Sequence, residues 1–210
     1  MITINKHKAE LANTWTHAIS LGLFCIMAFF LIRKGWGHGS VVLNFSLITF
    51  CVCEILMFLS STLYHMVKDE ETKKKLRYFD HCAIYVSIAG SYTPILLWTI
   101  GHTLGNVCFI IIWVLALSGI FYKIIALGKQ PKLSLALYLA MGWLVVFIAK
   151  PVFEAFPAIS LWFLLAEGIC FSLGTYFFWK DNEHTYYHAI WHIFIYSGCL
   201  SHWLVLWFLI

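Results

Sequence analysis

Seven apolar stretches follow one another along the chain, each near the ~20 residues that an α-helix needs to cross hydrocarbon. They run at about 14–32, 41–65, 80–99, 106–122, 133–150, 159–179 and 186–209. Short polar segments separate them: KGWGHGS, the longer MVKDEETKKKLRYF, IGHTLG, KIIALGKQPK, PVFEAFPA and KDNEHTY. Only helices and closed barrels satisfy the backbone in lipid, and these runs are too long and continuous for barrel strands. The pattern predicts an all-α integral membrane protein in which residues 1–210 form a single seven-helix domain.

Composition agrees. The chain is 61% hydrophobic and 11% charged, against about 25% charged in a soluble domain, so a water-soluble fold is excluded. Basic residues stand singly or in one short run between spans, which gives no footing for nucleic acid. The seven cysteines include no Cys-x-x-Cys pair and are odd in number, so they read as free thiols. The first twenty residues lack the apolar run and cleavage site of a signal peptide, so the first span is expected to stay.

The distribution of Lys and Arg sets an expected orientation. With the N-terminus inside, the inner segments carry eleven of them, including Lys68, Lys73, Lys74, Lys75 and Arg77, and the outer segments carry three: Arg33, Lys34 and Lys150. The expectation is a cytoplasmic N-terminus and an outside C-terminus.

Polar residues then acquire depths. His65 ends the second span, Asp80 opens the third, and His188 and His192 occupy the first two turns of the seventh, all at the inner side. Residues four apart on a helix share a face, so His188 and His192 can reach one ion. Ionisable side chains in a span are costly and mark functional sites. Three neutral imidazoles with an open position match a catalytic zinc site. Ser61 lies one turn before His65, where it can hold a water or a substrate carbonyl, and Asp80 can accept a proton. Glu54 shares that face about 16 Å deeper and reads as part of a buried polar network.

Plainer readings stand beside these. A histidine at a span end can bond to headgroups, Asp80 can cap the third helix, and Ser61 can bond back to its own helix. His184 is an alternative third ligand in the KDNEHTY loop. His202 is too far along for the same ion, His81 points about 100° away from Asp80, and His17 and Cys82 lie near the same depth. Pro94 should kink the third helix. Glu167, in mid-span, either pairs across helices or marks a polar cavity.

The motifs Ser61-x-x-x-His65 with Glu54 upstream, FDHCAIYVSIAGSYTP from Phe79 to Pro94, YLAMGWL from Tyr138 to Leu144 and HAIWH from His188 to His192 resemble the bacterial hemolysin III proteins. These lie within the progestin and adipoQ receptor family, which is similar in turn to the alkaline ceramidases. The resemblance covers nearly the whole chain. It implies seven helices in a bacterial inner (plasma) membrane and Zn2+ held by His65, His188 and His192. It also implies Asp80 and Ser61 beside the zinc-bound water, and hydrolysis of a lipid amide or a role in membrane-lipid homeostasis.

Three functions remain in view. The first is a zinc-dependent intramembrane hydrolase of a lipid amide or ester. The second is a receptor or sensor in which zinc ties helices without turnover. The third is a cytolytic pore, which the apolar spans oppose because none carries a repeating polar face. A retinal photoreceptor needs a lysine in the last span, and residues 185–210 hold none.

Overall fold

The computed structural model describes residues 5–125 and 131–210. Its described residues contain no strand. The elements are α1 (Lys6–Trp36), α2 (Val41–Met66), α3 (Glu70–Pro94), α4 (His102–Ile125), α5 (Pro131–Gly142), α6 (Ala149–Ala155), α7 (Ala158–Trp179) and α8 (Tyr187–Leu209). A π-helical stretch, Ile95–Ile100, continues α3, and a 3-10 stretch, Trp143–Ile148, joins α5 to α6. Seven helices are long and apolar enough to cross a membrane, the fifth built from Leu133–Ala155. The protein is an all-helical, multi-pass membrane protein.

Hydropathy located the apolar centres of these helices but not all of their ends. The pattern starts the first and third spans at about 14 and 80, whereas α1 begins at Lys6 and α3 at Glu70. Both extensions are polar and so carry no hydropathy signal. Each starts at a side-chain cap: Asn5 accepts from the Lys8 amide at 3.0 Å, and Asp69 from the Thr72 amide at 2.8 Å. Such caps satisfy amides that have no partner in the first turn. Asp80 therefore does not open or cap the third helix; it lies about three turns inside it.

Pro94 acts as a disruption of a different kind from a simple kink. It cannot donate a hydrogen bond, and after it the backbone widens, with the Gly101 amide reaching the Leu96 carbonyl at 2.9 Å. Gly101 then takes a positive φ of 56°, a conformation open to glycine at little cost, and the chain turns into α4.

Helices α1, α2, α3 and α8 pack side by side, α7 lies along α8, and α4 lies along α3. At the end of the bundle opposite His65, fully buried Phe24, Leu31, Leu43, Leu47, Phe50 and Leu206 form a dry plug. The outward faces carry exposed Ile26, Phe29, Phe30, Ile110, Ile111 and Leu117. Such an apolar belt suits a lipid solvent and would be a liability in water. The polar interior lies at the other end, where α1, α3 and α8 start and α2 finishes.

Candidate metal centre

His65 comes from the last turn of α2, and His188 and His192 from the first turns of α8. Their rings form a triangle, with centroids 5.2 Å (His65–His188), 5.1 Å (His65–His192) and 4.7 Å (His188–His192) apart. One ring nitrogen from each lies within 4.8 Å of the others. Among the described residues this is the group of histidine, cysteine and acidic side chains arranged to share one ion.

Which nitrogens converge follows from the outer partners. His65 Nδ1 is 2.8 Å from Glu10 Oε2, and His188 Nδ1 is 3.2 Å from Asp181 Oδ2. His192 Nδ1 is 3.0 Å from Thr16 Oγ1 and 3.2 Å from the Asn13 carbonyl. A carbonyl or a carboxylate can only accept, so each Nδ1 carries the proton and donates it. In the neutral ring each Nε2 then keeps a lone pair, the state in which imidazole binds a metal. His65 Nε2 is buried and has no hydrogen-bond partner.

These residues fit a zinc ion. A tetrahedral site with Zn–N of about 2.0–2.1 Å sets its ligands roughly 3.4 Å apart, so small ring movements close the triangle. An unpartnered buried imidazole nitrogen is otherwise a cost with no return. The set leaves room for a further ligand, as in catalytic rather than structural sites.

Asp80 and Ser61 lie beside the triangle. The Ser61 side chain lies close to the Asp80 carboxylate, which also feels the charges of His65, His188 and Arg77. Of the other histidines, His184 stacks on Tyr187 at 5.0 Å and receives the Tyr186 amide, outside the cluster. His202 pairs with Glu167 at 2.9 Å. His81 and Cys82 also stay outside the triangle.

Sequence reasoning missed four partners: Glu10, Asn13, Thr16 and Asp181. Glu10 and Asn13 belong to the polar extension of α1 and Thr16 to the turn after it; Glu10, Asn13 and His17 recur at helical spacing on one face. That stripe was the available signal. His17 lies nearly flat on His192, with ring centroids 3.6 Å apart and 23° between planes.

The triangle stands at the mouth of a cavity of about 1290 Å³. Its walls run from Lys6, Lys73 and Arg77 at the entrance, past His65 and Asp80, to Glu167 and His202 in mid-bundle and on to Leu161, Ala158 and Val152. Trp143, Phe153, Trp162 and Leu165 line it too, and all four are also exposed on the outside. The cavity therefore reaches the lateral surface between the fifth span and α7.

The comparisons with known proteins follow the same residues. The model of the family described as Haemolysin-III related matches residues 5–203. Hemolysin-3 homolog of Bacillus subtilis (strain 168) is 41% identical over 192 residues, covering 91% of this chain and 89% of the relative. Hemolysin-3 of Bacillus cereus is 38% identical over 192 residues, covering 91% and 87%. Monocyte to macrophage differentiation factor of Homo sapiens is 30% identical over 159 residues, covering 72% and 64%. With the match running from the first residues of α1 to within a few residues of the end of α8, the chain belongs to the haemolysin-III related family.

Proposed function

We propose that this protein is a zinc-dependent hydrolase of an amide or ester bond in a membrane lipid, serving membrane-lipid homeostasis at the bacterial inner membrane. The observation that carries this reading is the grouping of His65, His188 and His192, each held at Nδ1 by an outer partner and each with one ring nitrogen within 4.8 Å of the others, beside Asp80. That group opens on a largely apolar cavity with a lateral mouth, suited to an acyl chain arriving from the bilayer. The excess of Lys and Arg at the histidine end supports placing the site at the cytoplasmic leaflet.

Each residue then has a role. His65, His188 and His192 hold the ion, which when bound supplies a Lewis acid and an activated water. Asp80 takes a proton from water in the site and returns it to the leaving amine or alcohol. Ser61 fixes the Asp80 carboxylate and can donate to the scissile carbonyl. Glu10, Asp181, Thr16 and Asn13 set ring orientation and tautomer. The likeness to alkaline ceramidases, together with the apolar cavity, selects lipid amides first.

A sensor in which the ion only ties α2 to α8 would use the same histidines. A pore is opposed by the dry plug at the far end. The test is metal analysis of purified protein together with a screen of lipid amides and esters. Bound zinc and turnover, both lost in His188→Ala and His65→Ala, are expected. Zinc without turnover of any lipid would favour the sensor, and full turnover without metal would overturn the reading.

A further inference from the structure

The cavity wall can be followed along α7. The Phe178 ring lies 5.9 Å from that of His188, which puts Phe178 at the level of the histidine triangle. Phe171, Gly168, Leu165, Leu161 and Ala158 of the same helix also line the cavity. Phe178 and Ala158 stand twenty positions apart, roughly 30 Å along the axis and as much as the hydrocarbon core is thick. Glu167 on this reach is turned to His202 at 2.9 Å. Beyond it, from Leu165 to Ala158, the α7 wall is apolar.

Facing α7 across this reach is the fifth span, which is not one continuous helix. Helix α5 ends at Gly142, the 3-10 stretch follows to Ile148, and α6 resumes at Ala149. Tyr92 of α3 fills the break: its hydroxyl donates to the Gly142 carbonyl at 2.7 Å and accepts from the Val145 amide at 2.8 Å. Non-helical backbone at membrane depth persists only where protein or a cavity takes up its polar groups. Trp143 and Val146 of the break line the cavity and are exposed on the outside as well, as are Trp162 and Leu165 of α7. Gly168 leaves the gap between these two rims unfilled: a Cβ there would meet the Trp143 indole at 3.9 Å, an ordinary contact.

An acyl chain whose reacting bond lies at the triangle therefore meets an exit where a closed pocket would have a floor. Leu165 is thirteen residues from Phe178, roughly 20 Å, and past that level the chain leaves between Trp143 and Leu165 into the bilayer. Methylene groups there lose nothing, because lipid tails are as apolar as the side chains they leave. We propose that the cavity is an open-ended acyl channel, so that the lipids it takes have no upper limit of chain length. The inference rests on the proposed lipid-processing reading for its occupant. It adds that chains longer than the channel are held with their methyl ends in the membrane.

The experiment measures binding and needs no turnover. Purified protein in nanodiscs is titrated with dodecanoate, stearate and lignocerate, each displacing a fluorescent fatty acid and each counted per mole of nanodisc lipid. Lignocerate is expected to compete within about threefold of stearate, because its surplus methylenes lie in lipid before and after binding. A larger loss, as overpacking of a closed pocket would give, overturns the proposal, and so does a protein that binds none of the three. A chain curled inside a closed cavity is told apart by a diazirine on the methyl end of lignocerate. The part of its protein labelling that excess stearate removes should fall on the rim, at Phe153, Trp162 or Leu165. Labelling confined to the interior residues Ile84, Ile88 and Phe171 overturns the proposal too.

A stopper should then create the missing limit. Gly168→Phe puts a ring into the gap facing Trp143 and should keep dodecanoate while losing lignocerate about tenfold. Gly168→Ala, whose methyl has room, should behave as wild type. Equal binding of lignocerate by Gly168→Phe and wild type overturns the proposal. If Gly168→Phe loses dodecanoate as well, Leu165→Trp at the rim is put to the same test. The His65→Ala variant separates this result from the hydrolase reading, since it should lose turnover and keep the tolerance of length. If no lipid is hydrolysed and the tolerance stands, only the hydrolase reading falls; if lipids are hydrolysed with a sharp length limit, only the open channel falls.

Discussion

Glu10 on α1 holds His65 on α2 through a 2.8 Å contact between residues 55 positions apart. The same carboxylate pairs with Lys73 on α3 at 3.0 Å. One side chain thus joins three helices and fixes the orientation of a candidate ligand. Partners of this kind are typically worth about 10–100-fold in metal affinity. Glu10→Ala is expected to weaken zinc binding by about that factor, and Glu10→Gln by less, because the amide oxygen still accepts from Nδ1. Competition with a chelator of known affinity measures it. Unchanged affinity in Glu10→Ala would remove Glu10 from the site.

Asp80 and Ser61 lie close together but are not among the three grouped histidines. If Asp80 moves the proton, Asp80→Asn should keep its zinc and lose turnover by about 10²–10⁴-fold, the usual share of a general acid–base. Ser61→Ala should lose less, since the carboxylate remains. Metal content per chain and the hydrolysis rate are read on the same preparation. Turnover that survives Asp80→Asn would move the proton-transfer role elsewhere.

What the sequence disclosed and what it hid divides along a physical line. The seven helices were legible because an apolar run of membrane-crossing length has few other readings. His188 and His192 were legible because four residues make one helical turn, and His65 because the alternation of spans returns α2 to the same depth. Glu10 and Asn13 were not, because they lie in a polar stretch where hydropathy is silent and where helix depends on the Asn5 cap, and Thr16 was not, because one threonine early in a span does not disclose a partner on another helix. Asp181 belongs to a loop, whose path no periodicity encodes. The Glu167–His202 pairing joins different helices, and hydropathy sets depth without setting the rotation of each helix about its axis.

The close approach of α2 and α3 gives a prediction about stability. A methyl group on Gly90 would lie 2.6 Å from Cys53 Cβ and 2.8 Å from its sulfur. These distances require the helices to part. Gly90→Ala is expected to destabilise the protein by about 1–3 kcal/mol, the usual cost of overpacking. Thermal unfolding in detergent reads the loss. Adding Cys53→Gly should recover part of it by making room, less the helix penalty of a second glycine.

Asp69 gives a pH dependence at the start of α3. Its carboxylate is held below the ordinary value of 3.8 by hydrogen bonds from the Thr72 side chain and amide. A carboxyl whose folded pKa is depressed stabilises the fold above its unfolded value, and that contribution is lost as pH falls through the lowered one. The first turn of α3 should therefore fray in acid below pH 3.8. Amide protection from exchange at residues 70–73, taken as the ratio of wild type to Asp69→Asn, should fall toward one as the carboxyl is protonated. A ratio that stays flat with pH would mean that the charge does not hold this turn.

Metal removal tests the triangle without reference to any substrate. The candidate nitrogens come from α2 and α8, and their Nδ1 partners Glu10, Thr16 and Asn13 come from α1. An ion bound there braces three helices, adding to the hydrogen bonds that already join them. Binding that favours the folded state adds about 2.7 kcal/mol at a hundredfold excess over Kd. Zinc should accordingly raise the unfolding temperature of chelator-treated protein in a concentration-dependent way. The rise should vanish in His65→Ala and His192→Ala and persist in His202→Phe, whose ring lies roughly 15 Å farther along α8. An equal rise in all three variants would place the stabilising metal outside the triangle.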